Sequence, residues 1–167
     1  DPTSILRCCN KVFLHDAFDY RGVPSLRTRV VTDADAATLD SLENLFEYPM
    51  VLKMPEGSFS SGVFKVNDRS ALRQRLVDLF RDTALVLAQE YLYTEYDWRI
   101  GVLNGRALFA FRYMMARNHW QIYNHDARRD FSGDFETLAT FEVPRAVLAS
   151  ALKSCAIIGD GLYGVDI

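Results

Sequence analysis

Residues 48–66 read YPMVLKMPEGSFSSGVFKV. A short apolar run, Met50 to Leu52, ends on Lys53. A loop of glycine, serine and one phenylalanine follows at Gly57–Gly62, and a second run resumes at Val63-Phe64-Lys65-Val66. Two such runs around a glycine-bearing loop predict strand, loop, strand. Glycine and serine let backbone N–H groups come close to a phosphate, and a lysine at the strand end adds a point charge to the same anion. A hairpin with a plain surface tip carries the same pattern. The order is not that of a P-loop, because the lysine precedes the glycines and a strand follows them rather than a helix.

Outward from this stretch, helices and strands alternate. Asn10 caps a helix over Lys11–Tyr20 that stops at Gly22. A strand at Arg27–Val31 and a helix at Asp33–Phe46 precede the opening stretch. Asp68 caps a helix at Ser70–Asp82, and Leu85–Glu90 reads as a buried strand. Residues 117–142 are polar, aromatic and poorly periodic, which predicts loop and edge strand. Pro144 opens a helix reaching about Ile158, and Gly159-Asp160-Gly161 separates it from a last strand. Helices segregate from antiparallel strand pairs, so the class is α+β, or mixed α/β.

The clearest hairpin is WRIGVLNGRALFAFRYMM, residues 98–115, with Asn104-Gly105 as a type I′ turn. Counting back from that turn puts Arg99 opposite Ala110 and Asp97 opposite Arg112. Alternation then predicts Asp97, Arg99 and Arg112 on one face, with Trp98, Ile100, Val102, Phe109, Phe111 and Tyr113 on the other, in the core. The first face is either a cross-strand ion pair in solvent or a surface that handles an anion.

The chain has 167 residues, enough for one domain, and is 49% hydrophobic, enough for a substantial core. Its formal charge of -3 gives no general attraction to nucleic acid or to an anionic membrane surface. The arginines are dispersed, which argues against a nucleic-acid groove. No apolar stretch approaches the roughly 20 residues of a membrane helix. Cys8, Cys9 and Cys155 form no metal or disulfide spacing, which fits a cytoplasmic protein. A last strand with no turn after it predicts a longer parent protein.

The order of these motifs resembles the ATP-grasp superfamily, and within it the RimK-like carboxylate–amine ligases that add glutamate. The resemblance rests on DPTSILRCCNKVFLHDAF, VLKMPEGSFSSGVFKV, VLAQEYLYTEYDWRIGVLNGR, MARNHWQIYN and IGDGLYGVDI, which cover nearly the whole chain. It implies an ATP-grasp fold fragment of antiparallel sheets with flanking helices. The expected parts are an N-terminal segment at 1–48, a small ATP-binding subdomain at 49–92 and an incomplete C-terminal subdomain at 93–167. It implies ATP and Mg2+, with Mn2+ able to replace it, and an amino-acid substrate, glutamate. The acceptor is a peptide, a protein terminus or a small molecule, and a homo-oligomer is compatible with this.

Carried over residue by residue, the resemblance makes Lys11, Lys53, Ser58, Ser60, Ser61 and Gly62 contacts to the nucleotide phosphates. Gln89, Glu90, Tyr91 and Leu92 become the adenine hinge. Asp97 lies near ribose and phosphates, Arg99 is the catalytic cation, and Asp166 is the first metal carboxylate. Arg112, Arg117 and His119 become substrate contacts. On the residues alone, Lys11 could equally be a solvated helix residue and His119 a structural histidine. Two departures stand out: the family has glycine where Ser60 stands, and a basic residue where Tyr113 stands. The family's Glu-x-Asn pair, which completes the magnesium site, does not occur in this sequence. The competing readings are a nucleotide-binding module without chemistry and a glutathione synthetase-like ligase.

Overall fold

The computed structural model describes residues 2–57, 60–125 and 131–167, and Ser58 lies outside the described residues. The elements run α1 (Pro2–Cys9), α2 (Lys11–Arg21), β1 (Thr28–Val31), α3 (Ala36–Leu45), β2 (Met50–Lys53), β3 (Val63–Val66), α4 (Arg69–Leu79) and β4 (Val86–Glu90). They continue with β5 (Tyr96–Leu103), β6 (Arg106–Met114), β7 (Phe135–Leu138), a 3-10 turn (Thr140–Glu142), α5 (Arg145–Ile158) and β8 (Leu162–Asp166). The expected caps form. Asn10 Oδ1 accepts from Phe13 N, and Asp68 accepts from Ala71 N. The helix expected from Asp33 starts later, because Asp35 rather than Asp33 caps it by accepting from Thr38 N. Helix α1 was not foreseen. It holds one buried residue, Ser4.

The described residues form two compact units. One comprises Cys8–Asp16 and Ser25–Leu92. Its antiparallel sheet has strand order β1-β4-β2-β3. Met50, Leu52, Val66, Val86 and Ala88 pack from one face against Leu39 and Leu42 of α3 and Leu72, Leu76 and Leu79 of α4. Alternation sends Val51, Lys53, Val63, Lys65, Leu87, Gln89, Thr28 and Val30 to the opposite face. The opening stretch thus supplies a β2–β3 hairpin in which Lys53 lies opposite Val63.

The other unit contains Tyr93–Ile167, Ala17–Pro24 and most of α1. Its sheet has order β7-β6-β5-β8. Trp98, Ile100, Val102 and Ala110 form a core with Ala151 and Cys155 of α5 and with Val143. Arg7 Nη1 donates to Ile158 O at 2.9 Å, and Ser4 and Tyr163 share a hydrogen bond of 3.0 Å, which tie α1 to this unit.

The β5–β6 register corrects the sequence reading. Asn104 (φ 46°) and Gly105 (φ 74°) form the expected turn, and Leu103 faces Arg106. A β-bulge then intervenes: Val102 pairs with Ala107, but Gly101 pairs with Phe109, so Leu108 is the extra residue. Below the bulge the register slips by one. Arg99 faces Phe111, Trp98 faces Arg112, and Asp97 faces Tyr113. Arg112 therefore leaves the Asp97–Arg99 face. Phe109, Phe111 and Tyr113, expected in the core, join that face instead.

Candidate active site

In the unit built on β1–β4, the loop after Lys53 turns back on itself at positive-φ positions. Gly57 (φ 138°) lies so close to Ser61 that a Cβ there would sit 2.7 Å from the Ser61 carbonyl oxygen. Ser60 (φ 61°) and Gly62 (φ 70°) continue the turn, and Met54 N donates to Gly62 O at 2.8 Å to close it. Ser60 thus adopts a conformation in which glycine is favoured.

Lys11 bonds to the loop segment at two points. Its backbone N–H donates to Pro55 O at 2.8 Å, and its Nζ donates to Gly57 O at 2.9 Å. Partial burial lowers its pKa, against the opposing influence of Cys9 and Glu56. A lysine at the first turn of α2 and the glycine loop thus occupy one place, within the same unit as Lys53. Lys65, which the sequence reading passed over, shares the Lys53 face of the sheet, and its Nζ lies 4.9 Å from the Tyr91 ring centre. The signal was the alternation of β3 once Lys53 is set opposite Val63.

Of the residues expected to form the adenine hinge, Gln89 and Glu90 are held by β1 and the residue before it. Glu90 accepts from both Arg27 N (2.8 Å) and Arg27 Nε (2.7 Å), and its own N–H donates to Arg27 O. These bonds hold the Glu90 carboxyl below its usual range, the backbone bond first. Gln89 Nε2 donates to Thr28 Oγ1 at 2.7 Å. Tyr91 and Leu92 follow the strand end, and Leu92 is exposed.

In the other unit, Asp97, Arg99 and Asp166 lie on one face of the β5–β8 sheet. Register places Asp166 directly opposite Arg99, and the two form a two-point ion pair: Nε to Oδ1 at 2.6 Å and Nη2 to Oδ2 at 2.7 Å. The hydrogen bonds to Asp166 push the guanidinium pKa further up, against partial desolvation. Asp97 Oδ1 accepts from Thr94 Oγ1 at 3.2 Å. The Arg99 guanidinium also lies 4.8 Å from the Tyr113 ring centre.

Arg112 is elsewhere. It lies on the opposite face, 4.9 Å from the Trp98 ring and 5.0 Å from the Tyr96 ring, with Glu136 accepting from Nη1 at 3.3 Å. Its surroundings are those of a packing cation, not of a substrate contact on the Arg99 face. Arg117 and His119 sit in a tight turn where His119 N donates to Ala116 O at 2.9 Å. Arg117 is exposed, and His119 Nε2 lies 3.4 Å from Gln121 Oε1.

The described residues do not make a magnesium site. No three of their His, Cys, Asp and Glu side chains gather around a point, and Asp166 is already paired with Arg99. A magnesium ion prefers six oxygen ligands near 2.1 Å.

No family model matches the chain. Among curated proteins it is similar to D-alanine–D-alanine ligase of Pediococcus pentosaceus, 30% identical over 92 residues, which is 55% of this chain and 26% of that ligase. Among solved structures it is similar to D-alanine–D-alanine ligase of Bacillus anthracis, with a TM-score of 0.75 at 21% identity over 98% of this chain and 53% of the ligase. It is also similar to the ATP-grasp ligase PsnB in complex with its minimal precursor, with a TM-score of 0.67 at 19% identity over 99% and 49%. The chain spans about half the length of these solved relatives. Its two antiparallel sheets with flanking helices are the fold of the corresponding part of ATP-grasp ligases.

Proposed function

We propose that this chain carries the nucleotide-handling and acyl-activating parts of an ATP-dependent carboxylate–amine ligase. The observation that carries the reading is the meeting of Lys11 with the glycine-turned loop, in the unit where β2 ends on Lys53. Two cations and a loop of close-approach backbone suit a polyphosphate. In this reading, residues 49–92 form the ATP-binding subdomain, 1–48 lead into it, and 93–167 belong to the acyl-transfer subdomain.

The chemistry is phosphoryl transfer followed by acyl transfer. A carboxylate oxygen of one substrate attacks the γ-phosphorus of ATP, the β–γ bridge bond breaks, and ADP leaves. The amine of the second substrate then attacks the acyl carbon, phosphate leaves, and the amine's proton passes to solvent. Little covalent work falls to the protein, so positioning and charge neutralisation supply the rate. Lys11 and Lys53 hold the transferred phosphates. Arg99 faces the carboxylate, and its positive charge meets the anion that develops there. Asp166 holds the guanidinium plane through two bonds. Magnesium, held by the nucleotide phosphates and water, would supply further charge neutralisation at the phosphates. The motif order favours glutamate as the amine-bearing amino acid.

The test is calorimetry with ATP. Lys53→Ala should weaken binding at least tenfold, about 1.4 kcal/mol. Unchanged affinity would remove Lys53 from the phosphate site. ADP formation by the full-length protein that requires both glutamate and a second amino acid would establish the ligase.

A further inference from the structure

The bulge at Leu108 puts a row of rings beside the Arg99–Asp166 pair. Phe109 and Phe111 have ring centres 5.1 Å apart, Phe111 and Tyr113 are 6.0 Å apart, and Phe135 of β7 lies 5.9 Å from Phe111 and 6.1 Å from Tyr113. Phe135 is 64% exposed and Phe109 38%. Gly101 is what lets Phe109 lie flat on the sheet, since a Cβ there would stand 2.2 Å from the ring. An aromatic row on one sheet face, exposed at Phe109 and Phe135 and half-buried between them, marks a place where something apolar docks.

The charges next to it say what docks. Arg99 lies opposite Phe111, and Asp97 lies opposite Tyr113, two residues along the same strand face. The pair with Asp166 uses two of the five guanidinium N–H groups, so the cation keeps donors for a second carboxylate. A cation and an anion side by side match the carboxylate and the ammonium of a free amino acid. The neighbouring rings, tilted or edge-on to one another, offer an apolar surface with few hydrogen-bonding groups, which an acidic or small side chain would not use.

We infer that the amino acid whose carboxylate is activated on this face is a free aromatic α-amino acid, its carboxylate at Arg99, its ammonium toward Asp97 and its ring on Phe109, Phe111 and Phe135. This rests on the ligase reading and names its acceptor. It leaves glutamate as the amine donor. The attack on ATP and the loss of phosphate are those given above.

The test separates the two ideas by titrating this chain with L-phenylalanine and L-alanine, which share the zwitterionic head and differ by the ring, and in parallel with ATP. L-Phenylalanine should bind at least tenfold more tightly than L-alanine. Phe135→Ala should abolish that difference, whereas Phe141→Ser, at a phenylalanine that is 88% exposed but outside the ring cluster, should retain it. Equal affinity for the two amino acids, no binding of either, or a difference that survives Phe135→Ala would overturn the acceptor assignment. Ring-dependent binding of L-phenylalanine by a chain that does not bind ATP would overturn the ligase reading instead.

Discussion

A single hydrogen atom at Gly101 decides where the Phe109 ring can lie. With the Cβ of alanine standing 2.2 Å from Phe109 Cζ, either the ring or the strand must move. Gly101→Ala should therefore cost about 1–3 kcal/mol, the usual range for overpacking. Adding Phe109→Ala should relieve much of that cost, so the double variant should be less destabilised in urea than the sum of the singles. Additive losses would mean the clash is absorbed elsewhere. Glu90 gives a second residue-scale test. Its folded pKa lies below the ordinary 4.5, so its bonds to Arg27 contribute fully above pH 4.5 and are lost as pH falls through the depressed value. Melting temperatures of the native chain and of Glu90→Gln should differ at pH 6 and converge as the pH approaches 3. A gap that stays constant would show that the carboxylate charge contributes nothing.

At the scale of elements, the strands around Asn104-Gly105 and the caps at Asn10 and Asp68 could be read from the sequence because each depends on neighbours a few residues away. The bulge could not. Leu108 is one apolar residue in an alternating apolar run, and nothing local distinguishes it from its neighbours. The site was legible to the same depth. Asp97 and Arg99 share a face as expected, because they are two apart on β5, whereas Asp166 joins them only through the β5–β8 register that aligns it with Arg99. Arg112 was misplaced because its face depends on crossing the bulge, and Phe109, Phe111 and Tyr113 were misplaced with it. Lys11 could not be assigned from its helix alone, since its partner carbonyl lies 46 residues away. The bulge itself is testable. Leu108 is 52% exposed, so Leu108→Ala should change stability by less than about 1 kcal/mol. Deleting Leu108 removes the extra residue, so a regular ladder still sets Gly101 opposite Phe109 and Trp98 opposite Arg112. Retention of the near-ultraviolet circular dichroism in both Leu108→Ala and the deletion variant is the expected pair of results. A deletion variant that loses that spectrum would mean the bend of the bulge, and not only the register below it, holds the rings in place.

For the molecule as a whole, each unit has its own buried core and its own share of the proposed chemistry: Lys11 and Lys53 beside the glycine loop in one, and the Asp97, Arg99 and Asp166 face in the other. Among the described residues no helix is long and apolar enough to cross a membrane, and no cluster of three metal-binding side chains exists. The second point sets how divalent cations should behave. Asp166 is committed to Arg99, and a magnesium ion drawing on that one carboxylate would have to take the rest of its oxygens from water and phosphate. Magnesium without nucleotide should then show no calorimetric binding to this chain at micromolar concentrations. With the non-hydrolysable analogue AMPPNP present, the ion should bind through the phosphates, and nucleotide affinity should rise with it. Asp166→Asn should leave Arg99 without its anionic partner, lowering stability while changing the nucleotide-bound uptake of magnesium only modestly. Tight magnesium binding to the nucleotide-free chain that disappears in Asp166→Asn would instead place a formed metal site on this face, and the resting role of the Arg99–Asp166 pair would have to be given up.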